Sequence, residues 1–348
     1  MTNLFPELPG RPRPSNADID ALLARYGLRR VGDARYVEDS VSCDNFRVPT
    51  DRGDRFVRFH RPKRKREQLE ARDRLERWAA EQGLPVFPAE RDLRGRAMSG
   101  AGGWTGAVYP WVEGRPAVRG AITVGEAETL GRLHGRVQAA LAEYADPTLG
   151  VGGGDTHWDT EQSILALARV DDLIRYYPAV SDEDTEVRGV IIRQLAFLEG
   201  SEVLKPEEFA GLPSQVVHGD FHERNVLLAA DGSAAALVDW ERARVYPRAY
   251  ELVRALDFMR LTEGPPFEAY VAGYRESVLL GRDECAAAVD LYGQSTMHDH
   301  WAFTMVFVRG DRAPRRFFGE MPDRVARWSD AAWRAVFAAR LAAAAAGA

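Results

Sequence analysis

Residues 216–241, VVHGDFHERNVLLAADGSAAALVDWE, carry the strongest structural signal in this chain. Two short apolar runs flank a loop that opens at Asp220 and closes at Asn225, and a third run leads to Asp239 after an Asp-Gly turn. An Asp-Gly pair between apolar segments is typical of a β-hairpin. The pattern therefore predicts three oxygen-bearing side chains at one end of a small sheet.

These side-chain types match the requirements of phosphoryl transfer. One carboxylate is needed to accept and orient the attacking hydroxyl, and an amide with a second carboxylate can hold Mg²⁺ against the phosphates. Oxygen ligands suit this hard cation, which keeps several of its waters. The pattern predicts magnesium-dependent chemistry at a phosphate group.

The segment HGDFHERN at 218–225, followed by VDWE at 238–241, resembles the His-Gly-Asp-x4-Asn and Asp-x-Glu elements of the aminoglycoside phosphotransferase and choline kinase family. The fold of that family is similar to that of protein kinases. The resemblance implies that Asp220 is the catalytic base or hydroxyl-orienting carboxylate. It also implies that Asn225 is a Mg²⁺ ligand and that Asp239 is the main Mg²⁺ ligand, bridging the phosphates.

Three other residues of this stretch each have two interpretations. His218 matches a structural histidine of the family that steadies the loop by hydrogen bonding, and the alternative is an acid or base. Arg224 could contact a phosphate or the acceptor, or it could lie in solvent. Glu241 could support the metal site or form a surface salt bridge.

The resemblance also implies a hairpin that covers the nucleotide, at Asp39–Val48, before a strand at Arg55–Phe59. Ser40, Ser42 and nearby backbone amides are expected to reach the phosphates. The position at which the family holds a phosphate-pairing lysine aligns with Arg58. An arginine brings a permanent charge and two donors for phosphate, although its reach differs from that of lysine.

An acidic residue on the next helix is expected to pair with Arg58. Counting back from Pro85 places Arg72 at the expected position, and an arginine cannot serve. Glu70 is the preferred candidate, because a helix can slip by a fraction of a turn where loop lengths differ, and Asp73 is the alternative.

Residues 109–114, YPWVEG, look like the hinge whose backbone recognises the purine edge. Tyr109 ends the small sheet beside the expected nucleotide. Because Pro110 has no N–H, the donor would be Trp111 or Val112. The sequence does not distinguish ATP from GTP.

We expect an α+β, two-lobed, protein-kinase-like fold. A small N-terminal sheet lobe at 1–112 would bind the nucleotide, and a larger, mainly helical C-terminal lobe at 113–348 would hold the catalytic and acceptor sites. Alternating apolar and charged residues predict a hairpin with strands in 45–48 and 55–59, and further strands at 97–98 and 105–111. Helical spacing predicts helices at 16–26, 67–82, 124–144, 160–176, 184–199, 247–261, 266–279, 282–298 and 324–346.

Composition excludes several classes of protein. The 348 residues are 45% hydrophobic and 28% charged, which is typical of a globular protein, and two cysteines are too few for a disulfide framework. The sequence has no apolar run of membrane-spanning length, and Met1–Pro14 lacks the apolar stretch of a secretory signal. We therefore expect a cytoplasmic protein without membrane or nucleic-acid partners.

Charge is unevenly distributed along the chain. Residues 1–112 carry about +5, whereas residues 113–348 carry about −11, for a net charge of −6. The basic part favours a polyanion such as a nucleotide, and the acidic part favours a cationic or neutral acceptor.

Acceptor contacts are expected from the helical part of the chain. The candidates are Arg224, Glu251, His298, Asp299 and Trp301. For Glu251 bracing of the lobe is favoured over substrate binding, and for the cluster at 297–301 packing within a helix is favoured over acceptor binding. A zinc site at the His-x-His pair 298–300 is disfavoured, because no companion ligands at suitable spacing accompany it.

The sequence therefore favours a small-molecule kinase that moves the γ-phosphate of ATP or GTP to a hydroxyl, with Mg²⁺. The resemblance suggests an antibiotic or a related metabolite as the acceptor, giving resistance or self-protection. One alternative is a Ser/Thr protein kinase of the bacterial stress-response type, which the segment Phe59–Pro62 resembles. Another is a non-catalytic nucleotide-binding scaffold.

Overall fold

The computed structural model describes residues 13–37, 43–60, 66–149, 157–176 and 181–346. Its N-terminal part contains a five-stranded antiparallel sheet made of β1 (Arg35–Val37), β2 (Cys43–Thr50), β3 (Gly53–His60), β4 (Ser99–Ala101) and β5 (Trp104–Pro110). The strands lie in the order β1-β2-β3-β5-β4, so that β3 is central. The predicted hairpin is present as β2 and β3, in a register that sets Arg58 opposite Asn45.

Two helices accompany this sheet. The helix α1 (Asn16–Arg25) begins at Ser15, whose side chain forms a capping box with Asp18, and it packs Leu22 and Leu23 against the sheet. The helix α2 (Arg66–Glu81) buries Leu75 and Ala79 in the core of the helical part that follows. The sheet and the helical part are therefore joined by a shared apolar contact as well as by the chain.

The helical part contains α3 (Val124–Leu141), α4 (Thr160–Tyr176), α5 (Asp182–Leu198), α6 (Arg248–Phe258), α7 (Gly264–Arg275), α8 (Arg282–His298), α9 (Trp301–Phe303), α10 (Met321–Trp328) and α11 (Ala331–Ala346). The helices α3 and α7 approach so closely that a Cβ at Gly131 would overlap the carbonyl of Tyr270. This contact holds α3 in place. His134, three residues further along α3, lies against the loop that contains Asp220, and its ring stacks on that of Phe221 with 4.1 Å between centroids.

Four short strands interrupt the helices. The strand β6 (Ser214–Val217) pairs with β9 (Arg244–Pro247), and β7 (Val226–Leu228) pairs with β8 (Ala234–Leu237). The predicted succession of strand, loop, strand, turn and strand is present in β6, β7 and β8. The strand β9 was not predicted, because its pairing with β6 spans a distance in sequence that local pattern does not reveal.

The structure corrects two element boundaries. The segment expected to form one helix at 324–346 is divided into α10 and α11, because Asp330 accepts the backbone N–H groups of Ala332 and Trp333 and so starts a new helix. The strand expected at 97–98 lies instead at Ser99–Ala101, where it pairs with β5. Among the described helices, none combines the length and apolar character needed to cross a bilayer.

Candidate active site

The loop between β6 and β7 brings Asp220 and Asn225 together. Asn225 Nδ2 donates to the backbone carbonyl of Asp220 at 2.8 Å and lies 3.4 Å from its Oδ2. The hairpin of β7 and β8 then places Asp239 beside them, since the backbone N–H of Val238 donates to the carbonyl of Asn225 at 2.9 Å. The three predicted residues therefore lie together at the ends of β6, β7 and β8.

The turn at Gly219 depends on glycine. Its φ is +79°, and a Cβ there would overlap the carbonyl of Arg242. Its neighbour His218 is fully buried and uses both ring nitrogens: Nδ1 accepts from the backbone N–H of Asp220 at 3.3 Å, and Nε2 donates to the carbonyl of Val238 at 3.1 Å. Burial lowers the pKa of His218 and so favours the neutral ring that this pattern requires. The contacts are those of a structural histidine.

Asp220 is held as a carboxylate. Burial by itself would raise its pKa, but the guanidinium of Arg254 and the ring of His222 hold the pKa of Asp220 well below its usual range. Arg254 Nη2 donates to Asp220 Oδ1 at 2.5 Å. An acid with so low a pKa is better suited to orienting a hydroxyl than to removing its proton early in the reaction.

Asp239 adopts an unusual backbone conformation, with φ at +65° and ψ at 61°. A non-glycine residue in this left-handed region costs on the order of 1 kcal/mol. The conformation turns the side chain towards the sheet, where Asp239 Oδ1 lies 3.4 Å from Arg58 Nη1. Strain of this kind is maintained only where the surrounding structure enforces it, as at functional sites.

Arg58 lies in the cleft between the sheet and the helical part. It is 8% exposed, donates through Nε to Asn45 Oδ1 at 3.3 Å and lies 3.6 Å from Glu241 Oε1. Burial would lower its pKa, but Asp239 and Glu241 raise it, so the guanidinium stays charged. Glu241 also accepts from the thiol of Cys43, and it is therefore a buried residue rather than a surface one.

The expected partnership of Glu70 with Arg58 is wrong. Glu70 is exposed and forms an ion pair with Arg66 at 2.7 Å, while Asp73 pairs with Arg77 at 3.1 Å. Each has a nearer arginine, on α2 itself, so neither is drawn towards β3.

The acid of α2 that interacts with Arg58 is Glu76. It is 8% exposed, and burial raises its pKa to about 8 although the charge of Arg58 opposes this. Sequence reasoning missed it, but a signal was available. Glu76 follows Arg72 by four residues, which is one helical turn along the same face.

The residues proposed for the hinge lie where β5 ends. Tyr109 faces Phe56 in an edge-to-face contact of 6.1 Å between ring centroids. Trp111 donates its backbone N–H to the carbonyl of Asp54 at 3.4 Å, and Arg47 covers its ring at 4.4 Å. Val112 is half-buried. Ser40 and Ser42 lie outside the described residues.

Glu251 does not face the acceptor. It is 2% exposed, and its Oε1 accepts the backbone N–H of Gly219 at 2.5 Å. Its Oε2 accepts from Gln138 Nε2 at 3.0 Å and lies 3.2 Å from His134 Nε2. Its listing among the acceptor candidates is therefore corrected, and the favoured bracing role agrees with its contacts, which hold the loop between β6 and β7.

His298 is also a packing residue. It is 5% exposed, stacks on Trp158 at 5.0 Å and bonds to Thr160 Oγ1 at 3.0 Å and to the carbonyl of Gln294 at 2.7 Å. Burial lowers its pKa to about 4. The neutral ring therefore serves the contacts between α4 and α8, and the expected role in acceptor binding is corrected.

The other acceptor candidates are more accessible. Asp299 accepts the backbone N–H of Trp301 at 3.1 Å, and Trp301 is 46% exposed with its ring 6.2 Å from that of Phe317. Arg224 is exposed within the short helix that precedes β7.

The donor set fits a hard cation. Because Asn225 uses its Nδ2 to bind the Asp220 carbonyl, its Oδ1 remains available as a ligand. Asp239 offers a carboxylate whose side chain is 35% exposed. Amide and carboxylate oxygens with open positions for water and phosphate are the ligands that Mg²⁺ takes in phosphoryl-transfer sites.

A comparison with models of known protein families identifies the family of this chain. Residues 33–287 match the model of the phosphotransferase enzyme family. The chain belongs to that family. The expected family and enzyme class, a small-molecule kinase, are thereby confirmed. A comparison with curated proteins finds no match.

Solved structures show the same fold as this phosphotransferase. An amicoumacin kinase in complex with AMP-PNP and Ca²⁺ has 16% sequence identity and a TM-score of 0.57, over 84% of this chain and 88% of that one. A spectinomycin phosphotransferase in complex with ADP and spectinomycin has 11% identity and a TM-score of 0.60, over 89% and 96%. An aminoglycoside phosphotransferase from Alicyclobacillus acidocaldarius has 15% identity and a TM-score of 0.57, over 92% and 95%. The two-lobed, kinase-like α+β fold is confirmed.

Proposed function

We propose that this phosphotransferase moves the γ-phosphoryl group of a nucleoside triphosphate to a hydroxyl of a small molecule, in a Mg²⁺-dependent reaction. The observation that carries the proposal is the convergence of Asp220, Asn225 and Asp239 at the ends of β6, β7 and β8. Arg58 adds a buried positive charge at the same place. Two carboxylates and an amide beside a fixed positive charge suit the metal ion and phosphates of a nucleoside triphosphate.

Each residue then has a role in the transfer. Asp220 accepts a hydrogen bond from the acceptor hydroxyl and directs the hydroxyl oxygen at the γ-phosphorus. As the new P–O bond forms, the bond from the γ-phosphorus to the β–γ bridging oxygen breaks, the nucleoside diphosphate leaves, and the hydroxyl proton passes to the carboxylate or to solvent. Asn225 and Asp239 would hold Mg²⁺, which when bound neutralises charge that develops on the phosphates. The rate comes from positioning and charge stabilisation, without a covalent intermediate on the protein.

The nucleotide is proposed to lie between the sheet and the loop after β8. Arg58 would reach the phosphates in place of the family's lysine, and Ser40 and Ser42 would contribute from the preceding segment. Because Trp111 already donates its N–H to Asp54, Val112 is the proposed donor to the purine edge, next to Tyr109. The amicoumacin kinase with AMP-PNP and the spectinomycin phosphotransferase with ADP support a purine nucleotide. The division into lobes at 1–112 and 113–348 is part of this proposal.

The proposed acceptor is an antibiotic or a related hydroxylated metabolite, with resistance or self-protection as the outcome. Two structural neighbours, an amicoumacin kinase and a spectinomycin phosphotransferase, support this class. Arg224, Asp299 and Trp301 remain proposed acceptor contacts, because they are exposed enough to meet a ligand.

The proposal is tested with a panel of hydroxylated antibiotics and metabolites, each incubated with ATP or GTP and Mg²⁺. We expect at least one compound to gain the mass of one phosphoryl group, and we expect the gain to vanish with EDTA or in Asp220→Asn. A product that forms equally well in Asp220→Asn would contradict the assignment of the active site. Labelling of the protein itself or of casein, with no small-molecule product, would favour a protein kinase.

A further inference from the structure

Arg254 forms the shortest described contact with the side chain of Asp220. Its Nη2 lies 2.5 Å from Asp220 Oδ1, and Arg254 is 6% exposed. Arg254 follows Asp220 by 34 positions, and neither the motif around Asp220 nor the family resemblance identified it. A buried, charge-assisted contact of this length restricts the rotation of a carboxylate far more than a surface pair does.

The helix α6 contacts two consecutive residues of the loop between β6 and β7, Gly219 and Asp220. Glu251 accepts the backbone N–H of Gly219, and Arg254 binds the side chain of Asp220. Residues three apart lie on the same face of a helix, so both contacts come from one rigid surface. The loop backbone and the carboxylate are therefore fixed by the same element.

The two oxygens of Asp220 have different surroundings. Arg254 occupies Oδ1, whereas Oδ2 lies 3.4 Å from Asn225 Nδ2 and 3.6 Å from His222 Nε2. Because Asn225 is a proposed metal ligand, Oδ2 is the oxygen on the side of the phosphates. An acceptor hydroxyl would therefore meet Oδ2, while Oδ1 anchors the group.

Arg254 is itself held in place by an aromatic ring. Its guanidinium carbon lies 4.3 Å from the ring centroid of Phe258, one turn further along α6. The loop residue His222 also stacks on Phe258, with 6.0 Å between ring centroids. A planar guanidinium is suited to stacking and to donating in its own plane at the same time, and an ammonium group is not.

We infer that Arg254 is a positioning residue for phosphoryl transfer: it fixes the rotation of Asp220 so that Oδ2 faces the acceptor hydroxyl. This inference rests on the proposed function. It predicts a loss in kcat with little change in the KM for nucleotide, because Arg254 binds Asp220, whereas Arg58 and Asp239 are the residues proposed to meet the phosphates and the metal.

The test compares Arg254→Ala and Arg254→Lys with the wild type in Mg²⁺-dependent ATP hydrolysis, in which water replaces the acceptor. We expect kcat to fall about 100-fold in Arg254→Ala, since misplacing a reacting group by about 1 Å costs that much, with KM for ATP within about twofold. Added guanidinium should restore part of the lost kcat. Arg254→Lys keeps the charge but not the planar donor, and its kcat should fall about 10-fold.

The matched control is Arg248→Ala, on the same helix. Arg248 forms an arginine–carboxylate pair with Glu284 at 2.8 Å, away from the catalytic loop, so its loss should leave kcat unchanged and guanidinium without effect. Wild-type kcat in Arg254→Ala would overturn the inference. A fall in kcat with an equally large rise in the KM for ATP, and no rescue by guanidinium, would also overturn it. If Arg254→Ala does not fold, Arg254→Lys decides, and wild-type kcat there would overturn the inference.

Asp220→Asn separates this inference from the proposed function. If Asp220→Asn hydrolyses ATP as fast as the wild type, the proposed function fails, and the positioning role fails with it. If Asp220→Asn is inactive while Arg254→Ala is fully active, only the positioning role fails. A loss in both, with guanidinium rescue of Arg254→Ala alone, is the expected result.

Discussion

Arg58 Nη1 lies 3.4 Å from Asp239 Oδ1, and this contact joins the central strand of the sheet to the loop that follows β8. The two residues are 181 positions apart, and both side chains are partly or fully buried. Arg58 offers a positive charge to the phosphates of a metal–triphosphate complex, and Asp239 offers a negative charge to its metal ion. When such a complex binds, the phosphates compete with Asp239 for Arg58, and the metal competes with Arg58 for Asp239.

Replacing Arg58 should weaken nucleotide binding. Because a hydrogen bond to a charged group contributes about 1.5–3 kcal/mol, Arg58→Met is expected to raise the KM for ATP about 10- to 100-fold. Arg58→Lys should be intermediate. The matched control is Arg55→Met, on the same strand, since Arg55 pairs with Glu90 instead. An unchanged KM in Arg58→Met would show that the phosphates bind elsewhere.

Removing Glu251 should destabilise the protein rather than alter acceptor affinity. Glu251→Ala leaves buried donors of Gly219 and Gln138 without their acceptor, so the free energy of unfolding should fall by about 2–4 kcal/mol in urea denaturation. The control Glu276→Ala removes an exposed carboxylate paired with Arg132 and should cost less than about 1 kcal/mol. An acceptor KM that rises with no loss of stability would instead support an acceptor-binding role for Glu251.

His298 should make the protein sensitive to acid. Its folded pKa of about 4 lies below the ordinary value of 6.5, so the neutral ring is favoured in the folded state. The stability is complete above pH 6.5 and is lost as pH falls towards 4, by on the order of 2–3 kcal/mol. Unfolding of His298→Gln should show a shallower pH dependence in this range. The exposed His157→Gln serves as control, and a slope that is the same in all three proteins would contradict the assignment.

Glu76 should make the folded protein less stable as pH rises, the opposite of the effect of His298. Its folded pKa of about 8 exceeds the ordinary value of 4.5, so the folded state holds a proton that the unfolded state releases. Stability contributed by the neutral acid is therefore present below pH 4.5 and declines as pH rises towards 8. In metal-free protein, Glu76→Gln should gain stability relative to the wild type as pH rises from 5 to 8.5. A constant difference across this range would mean that Glu76 is ionised in the folded protein.

The proximity of Asp220, Asn225 and Asp239, the proposed active-site trio, could be predicted because it is local in sequence. Asp220 and Asn225 belong to one loop, and Asp239 follows the hairpin partner of β7, so spacing alone brings the three together. Glu76, Glu251 and Arg254 act across long distances in sequence. Their partners depend on where α2 and α6 pack. The four-residue spacing from Arg72 to Glu76 and the bracing role expected for Glu251 are partial signals, but neither identifies a partner.

The assignments that failed have a related cause. Glu70 has the right residue type, but Arg66 lies on the same helix one turn away and binds it first. His298 lies in a chemically rich segment, yet its position on α8 turns it towards Trp158 in the core. Residue type indicates what a side chain can do, and packing decides which partner it meets.

The proposed Mg²⁺-dependent transfer is tested most directly with ATP labelled in its γ-phosphoryl group. Transfer of the label is measured with and without Mg²⁺, in the wild type and in Asp239→Asn. This substitution keeps the shape of the side chain and removes the charge that would hold the cation. We predict Mg²⁺-dependent transfer in the wild type and a rate at least about 1,000-fold lower in Asp239→Asn. Equal rates in the two proteins, or transfer that needs no divalent cation, would contradict the account.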